Sequence, residues 1–257
     1  MTDRVAGRTA LVTGAGNGLG RRISVVLAAR GARVVLVGRN PGNLAVTAKE
    51  VRGAGGNARE LACDISSPDA VEAAAAALAD EEISILVNNA GVAGPVAPLV
   101  DIGPADWDDV FAVNVRGVYL MCRAFLPSMI GRGNGDIINL ASVSGKRPLA
   151  GRTPYAASKM AVIGLTATLA HEAGAQGVNV NSLSPGPVRG PRMDRNFTLD
   201  AGRRGISPAE AEQELISRAA LGRMIEEREV ADAVLAMLHM PGLCGADIDL
   251  SAGMIAR

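Results

Sequence analysis

The chain has 257 residues, with 26 Lys and Arg balanced by 26 Asp and Glu and no run of like charge, so it offers no electrostatic grip to nucleic acid or to an anionic membrane. A chain of this length buries a large core, and 1–257 reads as one domain with small molecules as its partners. Cys63, Cys122 and Cys244 lie far apart with no CxxC spacing, which argues against a disulfide framework or a zinc site; "MTDRVAGR" is too polar for a signal peptide, no unbroken apolar stretch approaches membrane-spanning length, and the expectation is a cytoplasmic protein without a metal.

In chain order, "TALVT" at 9–13 reads as the first strand, a helix follows over 18–30, and "RVVLV" at 33–37 is the second strand. A helix over 41–54, a strand "ARELA" at 58–62, a helix over 69–80 and a strand "ISILVN" at 83–88 continue the alternation. A long helical pattern over 105–132 leads to the strand "GDIINL" at 135–140, and a helix over 155–175 leads to "NVNSLS" at 179–184. The segment from about 186 to 226 breaks the rhythm with prolines and arginines before a polar helical stretch, and is expected to form a substrate lid; a helix over 227–239 and the strand "DIDL" at 247–250 close the chain. Strand and helix in alternation give an α/β fold, a Rossmann-type doubly wound parallel sheet of seven strands with helices on both faces.

Two places in this frame suggest a dinucleotide. "TGAGNGLG" at 13–20 joins the first strand to the first helix: Gly14 permits a tight turn, Gly18 lets a pyrophosphate approach the backbone, and Gly20 allows close packing, while the helix start supplies free N–H groups. A purely structural turn is the alternative, and the strand–turn–helix context favours the nucleotide. At the end of the second strand, where a carboxylate would take the ribose hydroxyl of NAD, stand Gly38 and Arg39; a guanidinium suits a 2′-phosphate, so NADP(H) is favoured over NAD(H), with a solvated arginine as the plainer reading.

The chain has two tyrosines, and Tyr155 precedes Lys159 by four residues, which puts both on one helix face. A phenol with an ordinary pKa near 10 is a poor acid at neutral pH; a unit positive charge about 4 Å away supplies roughly the 4 kcal/mol needed to bring it to about 7.

The motifs now on the page closely resemble those of the short-chain dehydrogenase/reductase superfamily: "TGAGNGLG" at 13–20, "NNAG" at 88–91, Asn114 in "AVNVRG", Ser142 in "LASVSG", "YAASK" at 155–159 and "PG" at 185–186. The resemblance spans almost the whole chain and is nearest to the 3-oxoacyl-carrier-protein reductases. It implies that Tyr155 is the catalytic acid–base, that Lys159 lowers its pKa and binds the nicotinamide ribose, that Ser142 orients the substrate oxygen, and that Asn114 holds a water relaying protons to Lys159. It further implies cofactor contacts at Gly14, Asn17, Gly18, Leu19, Gly20, Arg39, Asp64, Ile65, Asn88, Ala90, Gly91, Pro185, Gly186 and Val188, along with Tyr155 and Lys159. Substrate contacts are expected from Ser142, Val143, Ser144, Pro148, Tyr155, Arg189, Arg192, Met193 and Phe197.

Three departures stand out from that pattern. Gly190 replaces the usual threonine two residues after Val188, Asn17 replaces the basic residue common before the second glycine in NADP-preferring relatives, and Ser251, Ala252 and Gly253 replace Asp-Gly-Gly near the C-terminus. A homotetramer is expected, with a dimer as the alternative. The expected activity is hydride transfer between NADP(H) and a carbonyl or secondary alcohol. An NAD-dependent dehydrogenase of a small sugar, polyol or hydroxy acid is the second reading, and a non-catalytic nucleotide sensor is disfavoured by the presence of Ser142, Tyr155 and Lys159. Arg189, Arg192 and Arg195 fall within seven residues, which suggests an acidic substrate.

Overall fold

The computed structural model describes residues 3–147 and 149–255. Seven strands, β1 (Thr9–Thr13), β2 (Arg33–Gly38), β3 (Asn57–Ala62), β4 (Ile83–Asn88), β5 (Gly135–Leu140), β6 (Val178–Pro185) and β7 (Asp247–Leu250), pair in parallel in the order β3-β2-β1-β4-β5-β6-β7. The chain winds outward from β1 in one direction and from β4 in the other. The crevice between the carboxyl ends of β1 and β4 is therefore the place where such sheets take a ligand.

Because helices cover both faces, the central strands are apolar on both sides and successive side chains alternate between two cores. Ala10, Val12, Val34, Leu36, Ile85 and Val87 pack on one face against α1 (Gly18–Ala29), α2 (Pro41–Gly53) and α9 (Glu227–Leu238). Leu11, Val35, Val37, Ile83 and Leu86 pack on the other against α3 (Pro68–Ala77), α5 (Gly117–Arg132) and α6 (Thr153–Ala173).

Helix α4 (Pro104–Phe111) runs through a π-helical turn (Ala112–Arg116) into α5, one continuous rod from Pro104 to Arg132. By length and composition alone that rod is apolar enough to cross a membrane, where the sequence suggested no such stretch. Its apolar residues Val118, Met121, Phe125 and Met129 are buried against the sheet, the pattern of a core helix.

Between β6 and α9 the chain forms two helices, α7 (Pro191–Arg204) and α8 (Pro208–Ile216), where the sequence suggested one polar helical stretch. Gly205, with φ of 69°, ends α7, and a capping box between Ser207 and Glu210 starts α8. The pair has a small core of its own built from Phe197, Ala201, Ala211 and Met224. Its base is clamped: Arg189 N–H donates to Ile225 O at 2.8 Å and Ile225 N–H to Pro187 O at 3.1 Å.

Candidate active site

A cleft of about 1040 Å³ opens along the carboxyl ends of the strands, floored by the glycine-rich turn and the ends of β4 and β5 and roofed by α7 and α8. At its floor, Gly14 has φ of 66° and Gly18 of 49°, values favoured by glycine. A Cβ on Gly20 would sit 2.1 Å from Gly14 O, so helix α1 rests directly on the turn; one on Gly18 would meet only Glu227 Oε1, at 3.6 Å, so that the backbone there faces open space. Asn17 stands at the N-cap without a side-chain cap, and no acidic residue occupies the first turn of α1, which leaves its N–H groups for an anion. Thr13 Oγ1 accepts from the N–H groups of Asn89 and Ala90, both at 3.0 Å, and so fixes the loop after β4 against the turn. The cradle fits the pyrophosphate of a dinucleotide.

Along the cleft, Leu19, Arg39, Asp64, Ile65, Ala90, Gly91, Pro185, Gly186 and Val188 all line the wall. Arg39 is exposed and has no carboxylate within ion-pair distance among the described residues. Asp64 accepts from Ser66 N–H at 3.0 Å and Ser66 Oγ at 2.7 Å, bonds that together with the nearby Arg39 charge hold its carboxyl below the usual range; the helix α3 that follows is capped by Ser67 instead. The clamp at the base of α7 uses main-chain groups of residues 187 and 189, leaving those of Val188 on the cleft side. Gly190 has φ of 147°, a conformation L side chains rarely adopt, which accounts for the missing threonine.

Asn88 is expected to support the cofactor through its backbone, and its side chain points elsewhere. Its side chain is buried in the α5 and α6 layer, where Nδ2 donates to Asn139 Oδ1 at 2.9 Å and lies 3.4 Å from Cys122 Sγ, and it does not line the cleft; the adjacent Asn89 does.

Tyr155 and Lys159 lie one turn apart at the start of α6, with Lys159 Nζ 5.8 Å from the Tyr155 ring centroid. Lys159 is 5 % exposed and donates to Leu140 O at 2.7 Å, which anchors the ammonium between helix and sheet. Burial pushes the Tyr155 phenol up, but Lys159, Arg192 and Arg152 with the Ser142 hydroxyl outweigh it and hold the pKa below its ordinary value. Burial, with Arg192 adding to it, draws the Lys159 pKa down against the pull of Tyr155.

Ser142, at the end of β5, accepts from Ser144 N–H at 3.1 Å and makes only a long 3.4 Å contact to Pro185 O through its own proton. That hydroxyl is weakly engaged and free to turn toward a ligand oxygen. Asn114 sits in the π-helical turn and is fully buried behind the cleft wall: Oδ1 accepts from Val92 N–H at 2.8 Å, and Nδ2 donates to Val92 O and Ser158 Oγ, both at 3.0 Å. A Cβ on Gly91 would lie 3.1 Å from Asn114 Oδ1 and 3.5 Å from Lys159 Nζ, so glycine there keeps the space between the two free of a side chain.

Of the substrate-side residues, Val143, Ser144, Arg189, Arg192, Met193 and Phe197 reach the cleft, and Pro148 lies outside the described residues. Arg189 is 3.4 Å from the carboxylates of both Glu212 and Glu226. Arg152 was not singled out from the sequence, yet it lines the cleft at 9 % exposure, three residues before Tyr155. The spacing was there to read: a residue just outside the first turn of the helix carrying Tyr155 faces the same cleft.

A phenol beside a buried ammonium, next to a serine hydroxyl and above a pyrophosphate cradle, suits proton transfer to a carbonyl oxygen coupled to nicotinamide redox chemistry. Comparison with known proteins agrees. The model of the short chain dehydrogenase family matches residues 8–201. The chain is 34 % identical to a 3-oxoacyl-(acyl-carrier-protein) reductase of Vibrio harveyi over 252 residues, 96 % of this chain and 97 % of that protein. Among solved structures it is similar to an actinorhodin polyketide ketoreductase with NADPH, at TM-score 0.92 and 32 % identity over 99 % of both chains. A likeness of the same order, TM-score 0.91 and 30 % identity over 97 % of this chain and 99 % of the other, joins it to an NAD+-bound xylitol dehydrogenase. The chain belongs to the short chain dehydrogenase family and is an oxidoreductase that transfers a hydride between a nicotinamide cofactor and a carbonyl or secondary alcohol.

Proposed function

We propose that the protein is an NADP(H)-preferring carbonyl reductase in which Tyr155 is the acid–base, and the observation that carries this reading is the phenol held below its ordinary pKa by Lys159 and the neighbouring guanidinium groups. A bound nicotinamide cofactor supplies the hydride. Ser142 and the Tyr155 hydroxyl hold the carbonyl oxygen from two sides, so negative charge growing there meets two donors. Tyr155 gives up its proton as that charge develops, and the Lys159 ammonium stabilises the phenolate left behind. Asn114, through its place beside Gly91 and Lys159, lines the path along which the proton is replaced.

The glycine turn at 14, 18 and 20 with Asn17 and Leu19 would hold the pyrophosphate, Asp64 and Ile65 the adenine, and Ala90, Gly91, Pro185, Gly186 and Val188 the nicotinamide half. Arg39, beside Asp64 and without an ion pair among the described residues, supports a 2′-phosphate. The whole chain forms one catalytic domain with the α7–α8 lid over its substrate end. It works as a cytoplasmic homotetramer, and the apolar groove between α5 and α6, lined by Tyr119, Leu126, Leu165 and Leu169, supports subunit contact there.

Fluorescence titration of NADPH and NADH against wild type and Arg39→Ala tests the cofactor assignment. NADPH is expected to bind at least about tenfold tighter, with the preference lost in the variant, since a charge-assisted phosphate contact contributes about 1.5–3 kcal/mol. Equal or tighter binding of NADH would make Arg39 a bystander and favour alcohol oxidation with NAD.

A further inference from the structure

Around the lid, several arginines already have carboxylate partners: Arg189 has Glu212 and Glu226, Arg203 has Asp200, and Arg204 has Asp200 and Glu214. The two arginines beside Tyr155 are different. Arg192 places its guanidinium carbon 5.5 Å from the Tyr155 ring centroid, and among the described residues it has no carboxylate within ion-pair distance. Arg152, almost fully buried, is held only by neutral acceptors, Ala93 O at 3.2 Å and Asn196 Oδ1 at 2.9 Å. Asn196 follows Arg192 by one turn of α7, so one face of that helix supplies both the second cation and the support of the first.

Two cations thus converge on the substrate end of the cleft with no carboxylate of the described residues paired to either. Each repels the other, and Arg152 is drawn below its ordinary pKa by burial first and then by Arg192. Both help to hold the Tyr155 pKa down, but a buried guanidinium such as that of Arg152 is costly without a counter-charge, and a bound anion would supply one. The guanidinium has five N–H donors, of which Arg152 uses one on each terminal nitrogen, leaving three for a ligand oxygen.

Building on the reductase reading, we propose that Arg152 and Arg192 bind a carboxylate of the substrate, so that the substrate class is an oxo acid, or the hydroxy acid formed from it, with the carboxylate within a few bonds of the reacting carbonyl. A neutral polyol or a keto thioester brings no charge to that pair. Arg189, turned to Glu212 and Glu226, is not part of this site.

The experiment compares 2-oxobutanoate, 3-oxobutanoate and 4-oxopentanoate with their methyl esters as substrates for wild type, Arg192→Gln, Arg152→Gln and Arg152→Lys. At least one acid is expected to exceed its ester in kcat/KM by about tenfold or more, since the site's polar groups are left unpaired by the ester. Each glutamine variant should remove that preference through KM, and Arg152→Lys should restore part of it. Esters reduced as well as every acid, or an acid preference that survives both glutamine variants, would overturn the proposal. Should Arg152→Gln fail to fold, Arg192→Gln, at the exposed start of α7, decides the matter. A second readout needs no turnover: the melting midpoint of the NADPH-saturated protein should rise saturably with malonate and not with dimethyl malonate, and the rise should vanish in Arg192→Gln. Absence of turnover with acids and esters alike would count against the reductase reading, whereas absence of the malonate shift would count against the anion site.

Discussion

Replacing Arg192 by glutamine should move the ionisation of Tyr155 to higher pH. The Arg192 guanidinium carbon lies 5.5 Å from the phenol ring centroid. At that separation a unit charge contributes about 3 kcal/mol at an effective dielectric near 20 and about 0.8 kcal/mol in bulk water. Arg192 is an exposed residue, so solvent screens it and an intermediate value of about 1.5 kcal/mol applies, equivalent to about one pKa unit. The sign follows from which form is stabilised: a positive neighbour favours the phenolate, and its removal makes the phenol harder to ionise. In the direction of alcohol oxidation the phenolate is the base, so kcat/KM rises with pH through the Tyr155 ionisation. The assay is kcat/KM for a neutral secondary alcohol such as cyclohexanol, measured across pH with saturating oxidised cofactor; the neutral substrate keeps any carboxylate away from Arg192. The rising limb should shift up by about one unit in Arg192→Gln, and stay in place in Arg228→Gln, whose side chain is 80 % exposed and pairs with Asp232 on α9. An unmoved limb, or one displaced to lower pH, would refute the claim that Arg192 tunes Tyr155.

Other consequences can be checked directly. Gly20→Ala, whose Cβ would fall 2.1 Å from Gly14 O, should cost at least about 2 kcal/mol in urea unfolding and abolish nucleotide binding; wild-type stability would contradict the close contact. Burial pushes the Cys122 thiol up to about 12 and raises that of Cys63, while Cys244 is exposed, so Ellman's reagent should titrate one thiol in the native protein and all three after denaturation. The Glu229 carboxyl is held at about 2 by Arg223 and the Glu226 amide. A folded pKa below the unfolded value of about 4.3 means that its stabilisation is present above that pH and lost as pH falls through the folded value. Because the pair is exposed, Glu229→Gln should lower stability by no more than about 1 kcal/mol at neutral pH, and thermal melts should show that difference vanishing in acid.

The central strands were legible because burial on both faces turns them into short runs, and β1, β4 and β5 fall where those runs do; β7 also falls at "DIDL", where alternation at a partly buried sheet edge gave the signal. The juxtaposition of Tyr155 and Lys159 was legible because a four-residue spacing survives the change from string to helix. Helix α7 was harder to read, since its charged sequence buries only Phe197 and Ala201 and gives a weak periodic signal. Asn88 shows a different limit. A glance at "NNAG" does not say which asparagine meets a ligand, but strand alternation does: Asn88 follows Leu86 to the α5 and α6 face, and Asn89, beyond the strand end, turns to the cleft. The position of Arg152, three residues before Tyr155, was readable as facing the cleft, whereas its lack of a carboxylate partner among the described residues is a three-dimensional fact.

The site divides into a part fixed by the core and a part carried by the lid. Ser142 is fixed from three directions. It ends β5, its following 3₁₀ turn packs so tightly under α6 that a Cβ on Gly145 would lie 2.9 Å from Met160 N, and Lys146 is tied to Asp247 and Asp249 of β7. Asp247 also accepts from Ser182 Oγ at 2.8 Å and Ser184 Oγ at 2.7 Å, so the last strand locks the turn to β6 as well. Tyr155 and Lys159 share that rigidity, through the Ser158 bonds to Tyr155 O and Asn114 and the Lys159 bond to Leu140 O. Arg192 and Asn196 instead ride on α7, which with α8 has its own small core and a clamp at its base. Proton transfer needs donors fixed to within a fraction of an ångström, whereas admission of a charged substrate needs a face that can close over it. On the reading proposed above, chemistry resides on the sheet and α6, and the part of substrate choice that depends on charge would reside where α7 brings the Arg192 guanidinium down to Tyr155.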